Sequence, residues 1–393
     1  MLKRLRNRIM SIIYLDNNAT TRVAPEVFAE MEPYFCQLYG NPSSIHAFGG
    51  QVSAKLKEAR MRIAGLLGCQ VSEIVFTGCG TESDNTAITG TLAAYPDKHK
   101  IIITRVEHPA VLTVARELQN KGYTLVEIAV DRQGRIDLDE LESELDDDTA
   151  LVSVMYANNE TGVVFPIEHI AEMVKARGIV FHTDAVQVVG KIPIDLSSSS
   201  IDLLSLSGHK LHAPKGVGVL FVRKGTRLTP FMLGGHQERG RRAGTENTPG
   251  IIGLGKACEL ALQGFDLENN QVRKLRDKLE QALLKNCTGA MLNGDPDNRL
   301  PNTTNISFEY VEGEAILLMM NQFGICASSG SACTSGALEP SHVLRAMGVP
   351  FTAAHGSVRF SLSRYSTEAE VDLVIEKLPG IIERLRELSP FVH

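Results

Sequence analysis

The chain is predicted to be an α/β protein: a mostly parallel, seven-stranded sheet domain followed by a smaller α+β domain. Three observations carry this. Short β-branched runs alternate with helix-patterned segments through the first two thirds of the chain. Most of those runs are continuously apolar rather than alternating, as in strands buried on both faces. After about Gly250 the alternation gives way to a long helical pattern. The predicted division is a large α/β domain over residues 15–255 and a small one over 256–393, joined by residues 1–14.

The elements follow in order. A helix is predicted over 51–67, ending near Gly68. Strands are predicted at 73–77 (EIVFT), 101–106 (IIITRV), 124–130 (TLVEIAV), 150–156 (ALVSVMY), 179–184 (IVFHTD), 202–207 (DLLSLS) and 217–222 (VGVLFV), with helices at 83–95, 109–122 and 166–178 between them. The second domain is read as a long, bent helix over 254–284, strands at 303–308 and 357–361, and helices at 314–323 and 368–388. Residues 327–336 read ASSGSACTSG, all small around one thiol, the pattern of a mobile loop.

Composition excludes several classes. The 393 residues are 43% hydrophobic and 22% charged, which rules out disorder, collagen and a disulfide scaffold. A net charge of −6 gives no basic field for nucleic acid. No apolar run is long enough for a membrane helix. The opening MLKRLRNRIM is basic but lacks the apolar stretch of a secretory signal, leaving a solvated start or a short transit peptide. The seven cysteines show no metal-finger spacing and are read as reduced thiols of a cytoplasmic protein, most of them small core fillers.

In open α/β sheets ligands bind beyond the carboxyl ends of the strands. The first predicted strand runs into GCGTESDN, where glycines before a helix suit a phosphate and Thr81 adds a hydroxyl or serves as a cap. His108 follows the second strand, an acid/base, a ring-stacker or a helix-start residue. Asn158 and Asn159 follow the fourth, making a turn or binding a hydroxyl. Asp184 ends the fifth, with Gln187 one turn on if a helix starts there. Ser207, Gly208, His209 and Lys210 end the sixth; burial there would lower the lysine's pKa toward a nucleophilic amine, unless either charge only serves a salt bridge. A buried lysine able to form a Schiff base, an aspartate for a pyridine nitrogen and phosphate donors together describe a pyridoxal phosphate site. No strand-linked G-x-G-x-x-G is present.

LDNNATT (15–21), GNPSS (40–44), TESDN (81–85), EHPA, NNETG, HTDAVQ, SGHKLHAPKG (207–216), RRAGTEN (241–247) and SSGSACTSG together resemble the cysteine desulfurases of the class V aminotransferase superfamily. The finer match, in HAPKGVGVL, GGHQERGRRAGTEN, DPDNRLPNT and TAAHGSVRFSLSRY, is to the nitrogen-fixation type. The resemblance implies pyridoxal-phosphate fold type I and conversion of L-cysteine to L-alanine, with the sulfur moving to an enzyme persulfide. It implies Lys210 as the Schiff-base lysine, Asp184 at the ring nitrogen, Gln187 at the ring hydroxyl, Asn159 on cofactor or substrate, and His108 stacked on the ring as a proton shuttle. Gly80, Thr81, Ser207 and His209 would hold the phosphate, joined by Thr245 from a second copy in a homodimer. Arg359 and Asn41 would grip the substrate carboxylate. Cys333 would accept the sulfur and serve as a transient iron–sulfur ligand shared with a scaffold protein, for cluster assembly and nitrogenase maturation. Cys326 would be a buried small residue at a strand end. The alternatives are a selenocysteine lyase, another class V pyridoxal phosphate enzyme, or a sulfur-carrier platform without cofactor.

Overall fold

A computed structural model describes residues 12–329 and 340–389. The strands are β1 (Ile13–Tyr14), β2 (Ile74–Thr77), β3 (Lys100–Thr104), β4 (Thr124–Ile128), β5 (Thr149–Ser153) and β6 (Val180–Asp184). They continue with β7 (Leu203–Ser207), β8 (Gly218–Val222), β9 (Ala290–Leu292), β10 (Thr303–Phe308), β11 (Ile325–Cys326) and β12 (Ser357–Ser361). The central sheet has seven strands in the order β2-β8-β7-β6-β5-β3-β4. Only β8 runs against its neighbours, so the other six deliver their carboxyl ends to one edge.

The continuous apolar runs have their expected cause. Ile102 and Val152 pack into one core, while Ile101, Ile103 and Leu151 pack into another on the opposite face. Successive side chains alternate between faces, and helices cover both. The edge strand β4 is the exception and is partly exposed.

The predicted strands are recovered with their ends trimmed by a few residues, because residues past Thr104 and Ser153 leave the ladder and turn into the loops over the sheet edge. The helices on either side of β2 begin earlier than their patterns indicate. The first runs Ala47–Leu67, capped by His46, whose Nδ1 accepts the Gly49 N–H; Gly49 and Gly50 in its first turn mask the start. Gly68 ends it in the left-handed conformation at φ 63°. The second runs Gly80–Ala94 and starts directly at a glycine.

The long bent helix resolves into Thr248–Leu267 and Arg273–Asn286, joined by a π-helical turn at Glu268–Val272. A turn of this kind is a common site of helix kinks. A further core holds Val272, Leu279, Ile306, Phe308, Val358 and Phe360, and also Ile13 and Leu15. Its sheet is β12-β10-β9, antiparallel, and β1 pairs in parallel with β11. The brief β1, β9 and β11 were not anticipated; two or three residues carry too little periodicity to read. Among the described cysteines only Cys258 and Cys287 are buried, and Cys36 is exposed, so most are not core fillers. No helix of the described residues is long and apolar enough to cross a membrane.

The helix Thr248–Leu267 lies against Ala47–Leu67 at a contact only glycine allows. A Cβ on Gly255 would stand 2.6 Å from Ala59 Cα and Cβ. Gly255→Ala adds about 1 kcal/mol of helix propensity, but overpacking against backbone costs ~1–3 kcal/mol. The variant is expected to unfold at lower urea than the parent in equilibrium melts; an upward shift would mean the helices separate without cost.

Candidate active site

A cavity of about 220 Å³ lies over the carboxyl ends of the central strands. Its floor on one side is the start of the Gly80–Ala94 helix. Cys79 precedes it in an extended conformation (φ −174°), and no side chain caps the helix. Its first N–H groups therefore face the cavity without a side-chain partner. Gly80 and Thr81 line this end together with Ser207. A Cβ on Gly80 would meet Val186 Cγ2 at 2.8 Å, so the cradle requires glycine. Ser207 Oγ is buried without a hydrogen-bond partner. An uncapped helix start, an orphaned hydroxyl and a glycine cradle suit an anion such as phosphate.

Lys210 follows β7 and lines the same cavity. Its Nζ donates to the carbonyl oxygens of Asn18 (2.5 Å) and Ala19 (2.8 Å). Burial lowers its pKa to about 8; nearby Arg359 and Lys191 add to the effect, while Asp16 and Asp184 oppose it. This is the depression a nucleophilic lysine needs.

Asp184 ends β6 and accepts the Val186 N–H at 2.9 Å. Burial raises its pKa to about 6 against the pull of that N–H and of Lys210. It does not stand alone. Asp84, 1% exposed, also lines the cavity, and its Oδ1 has no hydrogen-bond partner. Burial first, then the charge of Asp184, push Asp84 well up. Two carboxyl groups at one buried wall do not both ionise readily. Behind them His182 is buried between Ser153 Oγ (2.8 Å) and Ser205 Oγ (2.9 Å), and burial takes its pKa down to about 3. The carboxylate nearest that imidazole is Asp84, whose Oδ1 lies 3.7 Å from His182 Nε2.

His108 caps the helix Pro109–Asn120, its Nδ1 accepting the Ala110 N–H at 3.1 Å. Burial, then Lys210 and His342, lower its pKa to about 4. With Nδ1 an acceptor, the neutral ring carries its proton on Nε2. Asn159, Gln187 and His209 line the cavity as well. No helix starts at Asp184; residues 186–191 run in successive turns. Gln187 is nonetheless delivered, its Nε2 donating to Asn18 O at 3.0 Å. His209 Nδ1 lies 3.1 Å from Thr20 Oγ1.

The remaining predicted residues lie elsewhere. Arg359, on β12 and 2% exposed, does not line the cavity but borders it, one guanidinium nitrogen donating to Asn159 O at 2.9 Å. Thr245 is exposed and not part of the cavity of its own chain. Asn41 is exposed too, and its Oδ1 accepts the Ser43 N–H at 2.8 Å, so this chain does not bring it to Arg359. Cys333 lies outside the described residues. Cys326 is half-buried rather than buried, at the end of a two-residue strand. Among the described residues no group of three or more His, Cys, Asp or Glu is arranged to hold a metal.

The chemical reading overlooked Asn18, Asp16 and Asp84. Asn18 is 1% exposed; its carbonyl receives Lys210 and Gln187, while its side chain bonds Thr303 Oγ1 (2.9 Å) and Asn302 Nδ2 (3.1 Å). All three residues sit inside LDNNATT or TESDN, motifs that signalled resemblance only. Nothing in one sequence separates such polar residues from surface ones.

The aminotransferase class-V family model matches residues 13–374, and the chain belongs to that family. Within it the chain belongs with the cysteine desulfurases. It is 62% identical over 382 residues to the cysteine desulfurase of Trichormus azollae, covering 97% of this chain and 96% of that one. It is 61% identical over 383 residues to cysteine desulfurase NifS of Azotobacter vinelandii, covering 97% and 95%. Among solved structures, a NifS-like protein superposes with a TM-score of 0.90 at 40% identity over 95% of this chain and all (100%) of the other. SspA, solved in complex with cysteine, gives a TM-score of 0.80 at 34% identity over 90% and 100%.

The lowered pKa of Lys210 sets a pH dependence. The amine is protonated below about pH 8 and free above it. In protein stripped of bound carbonyl compounds, acylation at Lys210 should therefore rise through that pH and level off. Ordinary exposed lysines, near pKa 10.4, keep gaining reactivity to higher pH. Peptide-resolved labelling reads this; a Lys210 curve parallel to the exposed lysines would show that the amine is not desolvated.

Proposed function

We propose that the cavity holds pyridoxal 5′-phosphate and that the protein uses it to take sulfur from L-cysteine, leaving L-alanine and a persulfide on Cys333. The observation that carries the reading is Lys210, desolvated to a pKa of about 8 in one cavity with Asp184 and the uncapped helix start at Gly80. The residues present fit the cofactor. Gly80, Thr81, Ser207 and His209 would hold its phosphate, Asp184 its ring nitrogen, Gln187 its hydroxyl, and His108 and Asn159 would lie against it. When bound, pyridoxal phosphate supplies an electrophilic carbon for amines and a cationic ring that accepts electrons.

The chain's own groups do the rest. Lys210 Nζ, its pKa lowered to about 8 by burial, accepts the proton from the substrate Cα in its neutral form. Asp184 would face the ring nitrogen, whose positive charge favours the ionised carboxylate. Arg359 Nε is buried without a partner, which suits it to take up the substrate carboxylate. His108, neutral with its proton on Nε2, can pass that proton to or from the reacting groups. Cys333 as thiolate attacks the substrate sulfur; the carbon–sulfur bond breaks as the sulfur–sulfur bond forms.

The persulfide would pass its sulfur to an iron–sulfur scaffold protein, with Cys333 as a transient cluster ligand. The 61% identity to NifS supports a role in nitrogenase maturation. A homodimer is part of the proposal. Phe231, Met232 and Leu233 are exposed in the segment leading to Thr245, which supports Thr245 acting in a second copy's site. Free thiols at Cys36, Cys69 and Cys79 agree with a cytoplasmic setting.

Three measurements test this. Borohydride reduction of the purified protein should leave a stable pyridoxyl label that peptide mapping places on Lys210; a label on Lys215, or none, overturns the cofactor assignment. After one turnover with L-cysteine, mass spectrometry should find the added sulfur on Cys333. Cys333→Ser should keep the cofactor yet abolish alanine release, since a hydroxyl is a far poorer nucleophile toward sulfur. Continued alanine production, or sulfur on Cys326 instead, would refute the transfer.

A further inference from the structure

Arg359 is tethered from two sides before any substrate arrives. One terminal nitrogen donates to Asn159 O at 2.9 Å, and the other donates to Asp16 Oδ1 at 2.8 Å. Nε is buried and has no partner. A guanidinium is a rigid planar fork, so fixing two of its nitrogens fixes the direction of the third.

The second tether is itself locked to the strand that carries Arg359. Asp16 forms a parallel bridge with Ser361 of β12, two residues beyond Arg359 and on the same face of the strand. Ser361 N–H donates to Leu15 O at 2.8 Å, and Asn17 N–H donates to Ser361 O at 3.1 Å. Asn17 Nδ2 donates to the same carbonyl at 2.8 Å, and Asn18 N–H to Ser361 Oγ at 2.9 Å. Both neighbours of Asp16 are thus bonded to Ser361, which fixes the Asp16 backbone beside the strand that carries Arg359. The side chain of Arg359 is 3% exposed and that of Asp16 is 20% exposed, so the buried cation is balanced by an acid at the rim.

We infer that Asp16 is a positioning residue for the substrate's α-carboxylate: it holds the Arg359 guanidinium so that the unpartnered Nε–H edge is presented in one orientation. This rests on the reading of Arg359 as the carboxylate grip. It makes the site selective for amino acids over simple amines, and assigns that selectivity to a pair rather than to the arginine alone. Loss of Asp16 frees the fork to rotate and leaves a buried charge without its counter-ion, so a substrate carboxylate meets a disordered donor.

The test compares L-cysteine with cysteamine, which keeps the amine and the thiol and lacks the carboxylate. Binding of each to the cofactor-loaded protein is followed by the change in cofactor absorbance, in the Cys333→Ser background so that nothing is consumed. Arg359→Ala should weaken cysteine strongly and leave cysteamine nearly unmoved. Asp16→Ala should weaken cysteine about tenfold, ~1.4 kcal/mol, again sparing cysteamine. With Cys333 intact, the loss should fall on KM more than on kcat. Asp16→Asn, whose amide oxygen still accepts from the guanidinium, should recover most of the cysteine affinity and guards against a variant that fails to fold. If Arg359→Ala separates the two ligands but Asp16→Ala weakens both equally or neither, the inference is wrong and the arginine reading stands. If Arg359→Ala does not separate them, both fall.

Discussion

The burial of one amine organises this site. Lys210 stands at the end of a fully buried strand, with Asn18 O and Ala19 O as its hydrogen-bond partners. Backbone carbonyls stabilise an ammonium far less than a carboxylate does, so desolvation dominates and the pKa falls to about 8. Had Asp184 or Asp16 reached Nζ directly, the ion pair would have held the lysine charged and inert. Both acids are near enough to oppose the shift yet are occupied elsewhere, by Val186 N–H and by Arg359.

That arrangement depends on the short segment from Asp16 to Thr21. It supplies the two carbonyls for Lys210, and its side chains reach the sheet β12-β10-β9 and its approach through Ser361, Thr303 and Asn302. At its other end Thr21 bonds His209 O at 2.9 Å through both its N–H and its hydroxyl. The end of β7 and the strand bearing Arg359 are therefore registered through one strap. Leu15 and Ile13, just before it, anchor it by packing into the core that holds Ile306 and Phe360. Polar groups buried in such a network are costly unless all are satisfied, which keeps the strap in one conformation.

Much of this was legible beforehand for a physical reason. Buried parallel strands must be continuously apolar, so residues such as 101–104 and 203–206 announce themselves, and the polar groups immediately after them fall at one edge by topology. Lys210, Asp184, His108 and the Gly80 turn were found this way. Asp84 was not: it sits inside a helix, where a carboxylate is ordinarily a solvated face, and only the packing of that helix on β6 and β7 buries it. Asn41 is a different case. The residue was carried over from a motif, and within one chain it bonds its own turn at Ser43.

The sequence by itself determined the alternation of strands and helices, the order of the motifs and the inventory of groups at the strand ends, because these depend on local periodicity and chain direction. The tertiary structure decided which groups are neighbours and what that does to them. Asp16 and Arg359 are 343 residues apart and share one hydrogen bond. Asp84 and Asp184 share a wall, burial raises the pKa of both, and the charge of Asp184 adds to the rise of Asp84. Desolvation and charge–charge coupling are set by surroundings that the chain assembles only on folding, and no residue's own identity contains them.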